Sequence, residues 1–128
     1  MTILHSNNAP GAVGPYCQGI VPSSPGVPVF LSGQIGLDPA TGKLVEGLEA
    51  QTRQVFKNIS AVLAEANLTL KDIVSANVLL EDMNDFAEMN KIYAEIFGEH
   101  KPTRAAYQVA KLPLSSKIEV VVIAWKKL

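Results

Sequence analysis

Arg104 and Glu119 are the two side chains whose type and setting most invite chemistry. Arg104 follows Pro102-Thr103 at the start of an extended stretch, and Ala105 and Ala106 come directly after it. Small neighbours leave room beside a guanidinium, whose planar fork matches a carboxylate through two parallel hydrogen bonds. A surface arginine or a structural ion pair fits the same local pattern, since most arginines are exposed. Glu119 interrupts an otherwise apolar stretch and shares its side of that stretch with Val121, Ile123 and Trp125. A carboxylate there costs desolvation unless it is paired, catalytic or close enough to the strand end to reach water.

Around these two stand weaker candidates. Ser32-Gly33 closes a strand, where a glycine lets backbone N–H groups approach a ligand, although a plain turn glycine fits equally. Tyr16, in the loop after Gly14-Pro15, fits a pocket wall or a core aromatic. Asn90 falls near the polar edge of a helix. Other chemistries have no footing. His5 and His100 are far apart, no Cys or His pair has metal-ligand spacing, and no phosphate-cradling glycine loop or nucleophile elbow is present. No metal or nucleotide cofactor is expected.

The elements that must position these residues follow from periodicity. Cys17 to Val21 and Val27 to Ser32 read as strands separated by the turn-rich Pro22–Pro28, and Asp38-Pro39-Ala40-Thr41-Gly42 reads as a turn. From Leu48 the apolar period lengthens: Leu48, Thr52, Val55, Ile59, Val62, Leu63 and Ala66 form one helical face, with Asn67 as its stop. Ile73 to Leu80 alternates like a strand. A second helix starts near a capping Asn84, carries Phe86, Met89, Ile92, Tyr93, Ile96 and Phe97, and stops at Gly98. Two further strands, Arg104 to Ala110 and Lys117 to Lys126, are joined by Leu112-Pro113-Leu114-Ser115-Ser116.

The order is strand, strand, strand, helix, strand, helix, strand, strand: an α+β domain with two helices able to cover one face of a sheet. Yet the last strand is apolar on both sides, with Ile118, Val120, Val122 and Ala124 on one and Val121, Ile123 and Trp125 on the other. Such a strand is normally buried on both sides, and copies of the chain are the simplest cover for the second. A plain hairpin of the last two strands centred near Leu114 would set Glu119 opposite position 109, roughly 16 Å of strand from Arg104. The two residues would then cooperate only across a subunit boundary. On that geometry, Arg104 and Asn90 come from one chain, and Tyr16, Ser32, Gly33 and Glu119 from its neighbour.

Composition narrows the classes. The 128 residues are one domain, residues 1–128, by length. Eleven Lys+Arg against 12 Asp+Glu provide no basic stripe of the kind that tracks phosphates, so a nucleic-acid partner is not expected. The longest apolar run, Val120 to Trp125, is too short to cross a bilayer, which argues against a membrane partner. A single cysteine, Cys17, and an N-terminus without a signal-like apolar core fit the cytoplasm or an organelle matrix.

Four blocks of the chain together resemble the RidA (YjgF-type) reactive-intermediate deaminases: Ala12-Val13-Gly14-Pro15-Tyr16-Cys17-Gln18-Gly19, Leu31-Ser32-Gly33-Gln34-Ile35, Asn84-Asp85-Phe86 with Asn90, and Pro102-Thr103-Arg104 through Leu112-Pro113 to Lys117-Ile118-Glu119-Val120. The resemblance implies a chorismate-mutase-like fold assembled as a homotrimer with clefts between subunits. It implies hydrolysis of 2-aminoacrylate and related enamines or imines, released by PLP-dependent dehydratases, to 2-keto acids and ammonia. By position Arg104 would bind the substrate carboxylate and Glu119 would place or activate water, with Ser32 and Gly33 lining the site and Tyr16 and Asn90 at its walls. Ala106 stands where many members carry cysteine; a role through its backbone N–H and C=O would survive, and a thiol-based one would not. Tyr107, Gln108 and Trp125 are unusual choices that would reshape the cleft. Three other readings compete: a non-catalytic 2-keto-acid sensor or enzyme-regulating module, an RNA-cleaving protein, and a chorismate mutase, whose dicarboxylate would want a second cation where only Arg53 remains.

Overall fold

A computed structural model describes residues 1–128. The chain forms β1 (Thr2–Leu4), β2 (Gly19–Val21), β3 (Gly26–Phe30), β4 (Gln34–Ile35), β5 (Leu37–Asp38), β6 (Lys43–Leu44), α1 (Leu48–Ala64), β7 (Ile73–Leu80), α2 (Phe86–Phe97), β8 (Thr103–Gln108) and β9 (Ile118–Lys127). β7 and the two helices lie where periodicity sets them. The first expected strand is shorter at its start, and its partner is the unanticipated β1. The Asp38–Gly42 turn joins β5 to β6, with Gly42 N–H donating to the Asp38 carbonyl at 2.7 Å.

The helix ends differ in detail from expectation. α1 stops at Ala64, and Asn67 takes a left-handed φ of 60° three residues later. Gly98 closes α2 at φ 62° and ψ −124°, a positive-φ conformation outside the αL region that glycine adopts most easily. Asn84 is not the cap of α2. It lies inside a 3₁₀ turn, Met83–Asp85, whose N-cap Asp82 accepts from the Asn84 N–H at 2.9 Å. The extra turn displaces the helix start to Phe86, because Asp82 offers its carboxylate first. On α1, Val62 is 46% exposed, while Gln51 and Phe56 are buried. Gln51 is useful inside because its Oε1 accepts from the Lys117 N–H at 2.8 Å, pinning the approach to β9.

The principal sheet has the order β3–β9–β7–β8, with β4 also pairing β9 beside β3. The expected hairpin between the last two strands does not exist. β7 lies between them, parallel to β8 and antiparallel to β9. A strand apolar on both sides belongs in a sheet's interior, so β9 is flanked by β7 and by β3/β4, and β8 becomes an edge. The βαβ unit β7–α2–β8 accounts for the parallel pairing, since parallel neighbours need a crossover.

Both helices cover one face. Val55, Ile59 and Leu63 of α1 and Met89 and Tyr93 of α2 are buried against Ala76, Val78, Leu80, Ile118, Val120 and Val122. The other face has no cover within the chain: Phe30 is 73% and Tyr107 46% exposed, and Val121 and Ile123 are only partly buried. Trp125 is partly buried too, but it has local contacts: Gly26 leaves space for its ring and its indole N–H donates to the Ser23 carbonyl at 2.6 Å. It packs at the far end of β9 from Glu119.

Candidate active site

Arg104 occupies the edge strand β8 and pairs in register with buried Ala76, so its side chain stands on the helix-covered face. There α2 presents Phe86, Asn90 and Tyr93 at i, i+4 and i+7, one stripe of a helix. Arg104 Nη1 donates to Asn90 Oδ1 at 2.6 Å. The guanidinium carbon lies 4.9 Å from the Tyr93 ring centroid, 5.5 Å from that of Tyr16 and 5.6 Å from that of Phe86, all within cation–π range. A Cβ on Gly14 would come 3.7 Å from Nη2, so the loop before Tyr16 also borders the group. Tyr16 is held by Val13, whose N–H donates to the phenolic oxygen at 3.3 Å.

This cation has no carboxylate. The ion pairs of the chain are Arg53 with Glu49 and Arg53 with Glu95, both on the outer helix surface. Burial pulls the Arg104 guanidinium below its ordinary pKa, the cost of desolvating a charge that nothing neutralises. The same two ion pairs leave Arg53 already neutralised rather than free as a second cation for a dicarboxylate.

Glu119 belongs to a different cluster. It pairs with Ile35 of β4 and Leu79 of β7 and stands on the uncovered face. Gly33 lies against it: an added Cβ would be 2.5 Å from Glu119 Oε2, so glycine is what makes space for the carboxylate. Ser32 precedes it in the exposed turn between β3 and β4. Tyr107 shares the row of Glu119 and Leu79, one strand further over. Ala106 is half-buried on the Arg104 face beside Val78, and Gln108 Oε1 accepts from Met83 N–H at 2.8 Å, tying β8 to the approach of α2.

Arg104 and Glu119 are therefore two strands and three residues apart, roughly 14 Å by strand spacing and rise, on opposite faces of one sheet. They do not meet within a chain, for a reason other than the hairpin. Tyr16 needs correcting: it was expected with Glu119 on the neighbour and instead stacks beside Arg104 in the same chain. Phe86 and Tyr93 escaped the sequence reading because an apolar stripe packs a guanidinium or a leucine with the same spacing. The partly polar Asn90 between them was the available clue. The cavities of the chain contain neither Arg104 nor Glu119. The largest, 660 Å³, lies by the C-terminal ends of both helices and includes Leu68, Ile96 and His100.

An α+β chain with an unpaired arginine between aromatic rings and a separate glutamate beside glycine finds its class by comparison. A model of the family described as Endoribonuclease L-PSP matches residues 6–126, and the chain belongs to that family, the RidA (YjgF-type) group of the sequence analysis. Over 126 residues it is 47% identical to a RutC family protein of Pyrococcus horikoshii, covering 98% of each chain. It is 41% identical over 123 residues to the human 2-iminobutanoate/2-iminopropanoate deaminase, covering 95% of this chain and 88% of that one. Escherichia coli TdcF with bound serine superposes with a TM-score of 0.73 at 39% identity, covering 97% and 98% of the two chains. No helix is long and apolar enough to cross a membrane.

Proposed function

We propose that the chain hydrolyses 2-aminoacrylate and related carboxylate-bearing enamines or imines to 2-keto acids and ammonia, without metal or cofactor, at sites shared between subunits of a homotrimer. The observation that carries this reading is Arg104: a half-buried cation, fixed by Asn90 and three rings, with no anion of its own. Such a group is preorganised for a small organic acid. A serine-bound relative and relatives named iminobutanoate/iminopropanoate deaminases give the acid its class.

The Arg104 cluster lies at the β8 edge and the Glu119–Gly33 cluster beside β4 at the opposite edge. Packing the uncovered face beside β4 of one chain against the β8 edge of the next would bring the two halves together, and a heterologous contact of this kind forms a ring when its rotation closes. The apolar face with Phe30, Tyr107, Val121 and Ile123 would then be buried inside the ring. The number three comes from the family resemblance.

The chemistry asks little of the protein. The enamine tautomerises to an imine, R–C(=NH)–COO⁻. Arg104 of one chain holds the carboxylate by the edge of its fork not used by Asn90. Glu119 of the neighbour takes a proton from water as the oxygen bonds to the imine carbon, a positioning and general-base role. The nitrogen gains protons, the C–N bond breaks, ammonia leaves, and the C=O of the keto acid forms. Gly33→Ala should push the Glu119 carboxylate aside, lowering kcat by roughly 10- to 100-fold while 2-oxobutanoate affinity holds. An unchanged kcat would show that the close approach is irrelevant.

The family description names an endoribonuclease, but the chain has no excess of positive charge to track phosphates. The decisive experiment feeds L-threonine or L-serine through a PLP-dependent dehydratase and measures keto-acid release against the spontaneous rate, with molecular mass measured in parallel. Rates above background and a trimeric mass are expected. Tight 2-oxobutanoate binding without rate enhancement would make the protein a sensor instead.

A further inference from the structure

The three rings around Arg104 are not equivalent. Tyr16 rides on a loop and Phe86 begins a helix, and both are only partly buried. Tyr93 is fully buried, in the second turn of α2. Its ring is fixed by Phe56, edge-on at 5.6 Å and 78°, and by Phe97 at 4.5 Å and 36°. It is also the ring nearest the guanidinium, at 4.9 Å. Its hydroxyl is buried without a hydrogen-bond partner, an arrangement that costs stability and that phenylalanine would avoid. Burial pushes that phenol well above its ordinary pKa, so it stays neutral beside the cation.

From this geometry we infer that Tyr93 is a positioning residue for the proposed reaction: its ring face is the rigid floor on which Arg104 is held in the carboxylate-accepting pose. The inference rests on the carboxylate-binding reading of Arg104. The guanidinium plane has two ways to be occupied. Its edge donates hydrogen bonds, one of them already to Asn90 Oδ1, and its face can take a ring. Tyr93 offers the cation its ring and accepts no hydrogen bond from it, so it does not compete with the substrate for donors. Without the floor, a long side chain on an edge strand would sample several rotamers, and each binding event would have to restore the ordered one.

The test keeps the shape of the ring and varies its charge distribution. Tyr93→Phe is the reference, and mono-, di- and trifluorinated phenylalanines placed at the same position progressively empty the ring face. Each full-length protein is titrated with 2-oxobutanoate, assayed for imine hydrolysis, and melted. The reference should bind 2-oxobutanoate within about twofold of the parent. Along the fluorinated series affinity should weaken stepwise, by roughly 2- to 30-fold in total, the loss appearing in KM more than in kcat and with melting temperatures unchanged. A flat series, or affinity that rises with fluorination, overturns the inference and leaves Tyr93 as a core aromatic. Failure of the parent protein itself to bind 2-oxobutanoate would overturn the reading of Arg104, and this inference with it.

Discussion

Arg104→Ala is expected to lower kcat/KM for imine hydrolysis by roughly 10²- to 10⁴-fold while the protein remains folded. Two charge-assisted hydrogen bonds to a carboxylate, at about 1.5–3 kcal/mol each, set that range. The fold should survive because the side chain has no ion pair and its charge sits half-buried at a desolvation cost. What the deletion removes is one bond to Asn90 and three ring contacts at an edge strand. A stability loss of no more than about 2 kcal/mol in urea unfolding is expected. Arg104→Lys should restore little activity, since a compact ammonium cannot hold Asn90 and present a two-pronged edge at once. The coupled dehydratase assay reads the result directly. Undiminished turnover by Arg104→Ala would remove the basis of the proposed function.

Glu119→Gln is the second large effect. The amide has the shape of the carboxylate, so the fit against Gly33 and the register with Ile35 and Leu79 should persist. Only the capacity to accept a proton is lost. Loss of a general base costs typically 10²- to 10⁴-fold, and here it should fall on kcat, with KM and 2-oxobutanoate affinity within about threefold of the parent. A variant that keeps its kcat but binds weakly would make Glu119 a substrate contact, with water activated elsewhere. Mixing Arg104→Ala with Glu119→Gln subunits adds a test of the shared site. A ring holding both kinds retains some intact clefts only if the two residues come from different chains, so partial recovery of activity is expected.

Much of this molecule can be read from one dimension. The alternation of Ile73–Leu80, the three-and-four spacing across Leu48–Ala64 and Phe86–Phe97, and Gly98 as a stop are local signals, and the structure agrees with them nearly to the residue. A strand apolar on both sides announced an uncovered face, which the exposed Phe30 and Tyr107 make visible. Arg104 and Glu119 stood out because each is charged among small or apolar neighbours. Strand order was not legible: alternation reports that a strand is buried, not which strand lies beside it, and β7 entering between β8 and β9 is a choice made by non-local packing. The side of the sheet on which each charge stands follows from that order, as does the presence of Tyr16 beside Arg104. The aromatic clamp was hidden for a further reason. Phe86 and Tyr93 repeat at the spacing of a helix core, and burial against a cation leaves the same trace in the sequence as burial against hydrocarbon. Residue types thus singled out Arg104 and Glu119 as charges among small or apolar neighbours, while only the packed chain decided what holds the arginine still and how far from it the glutamate lies.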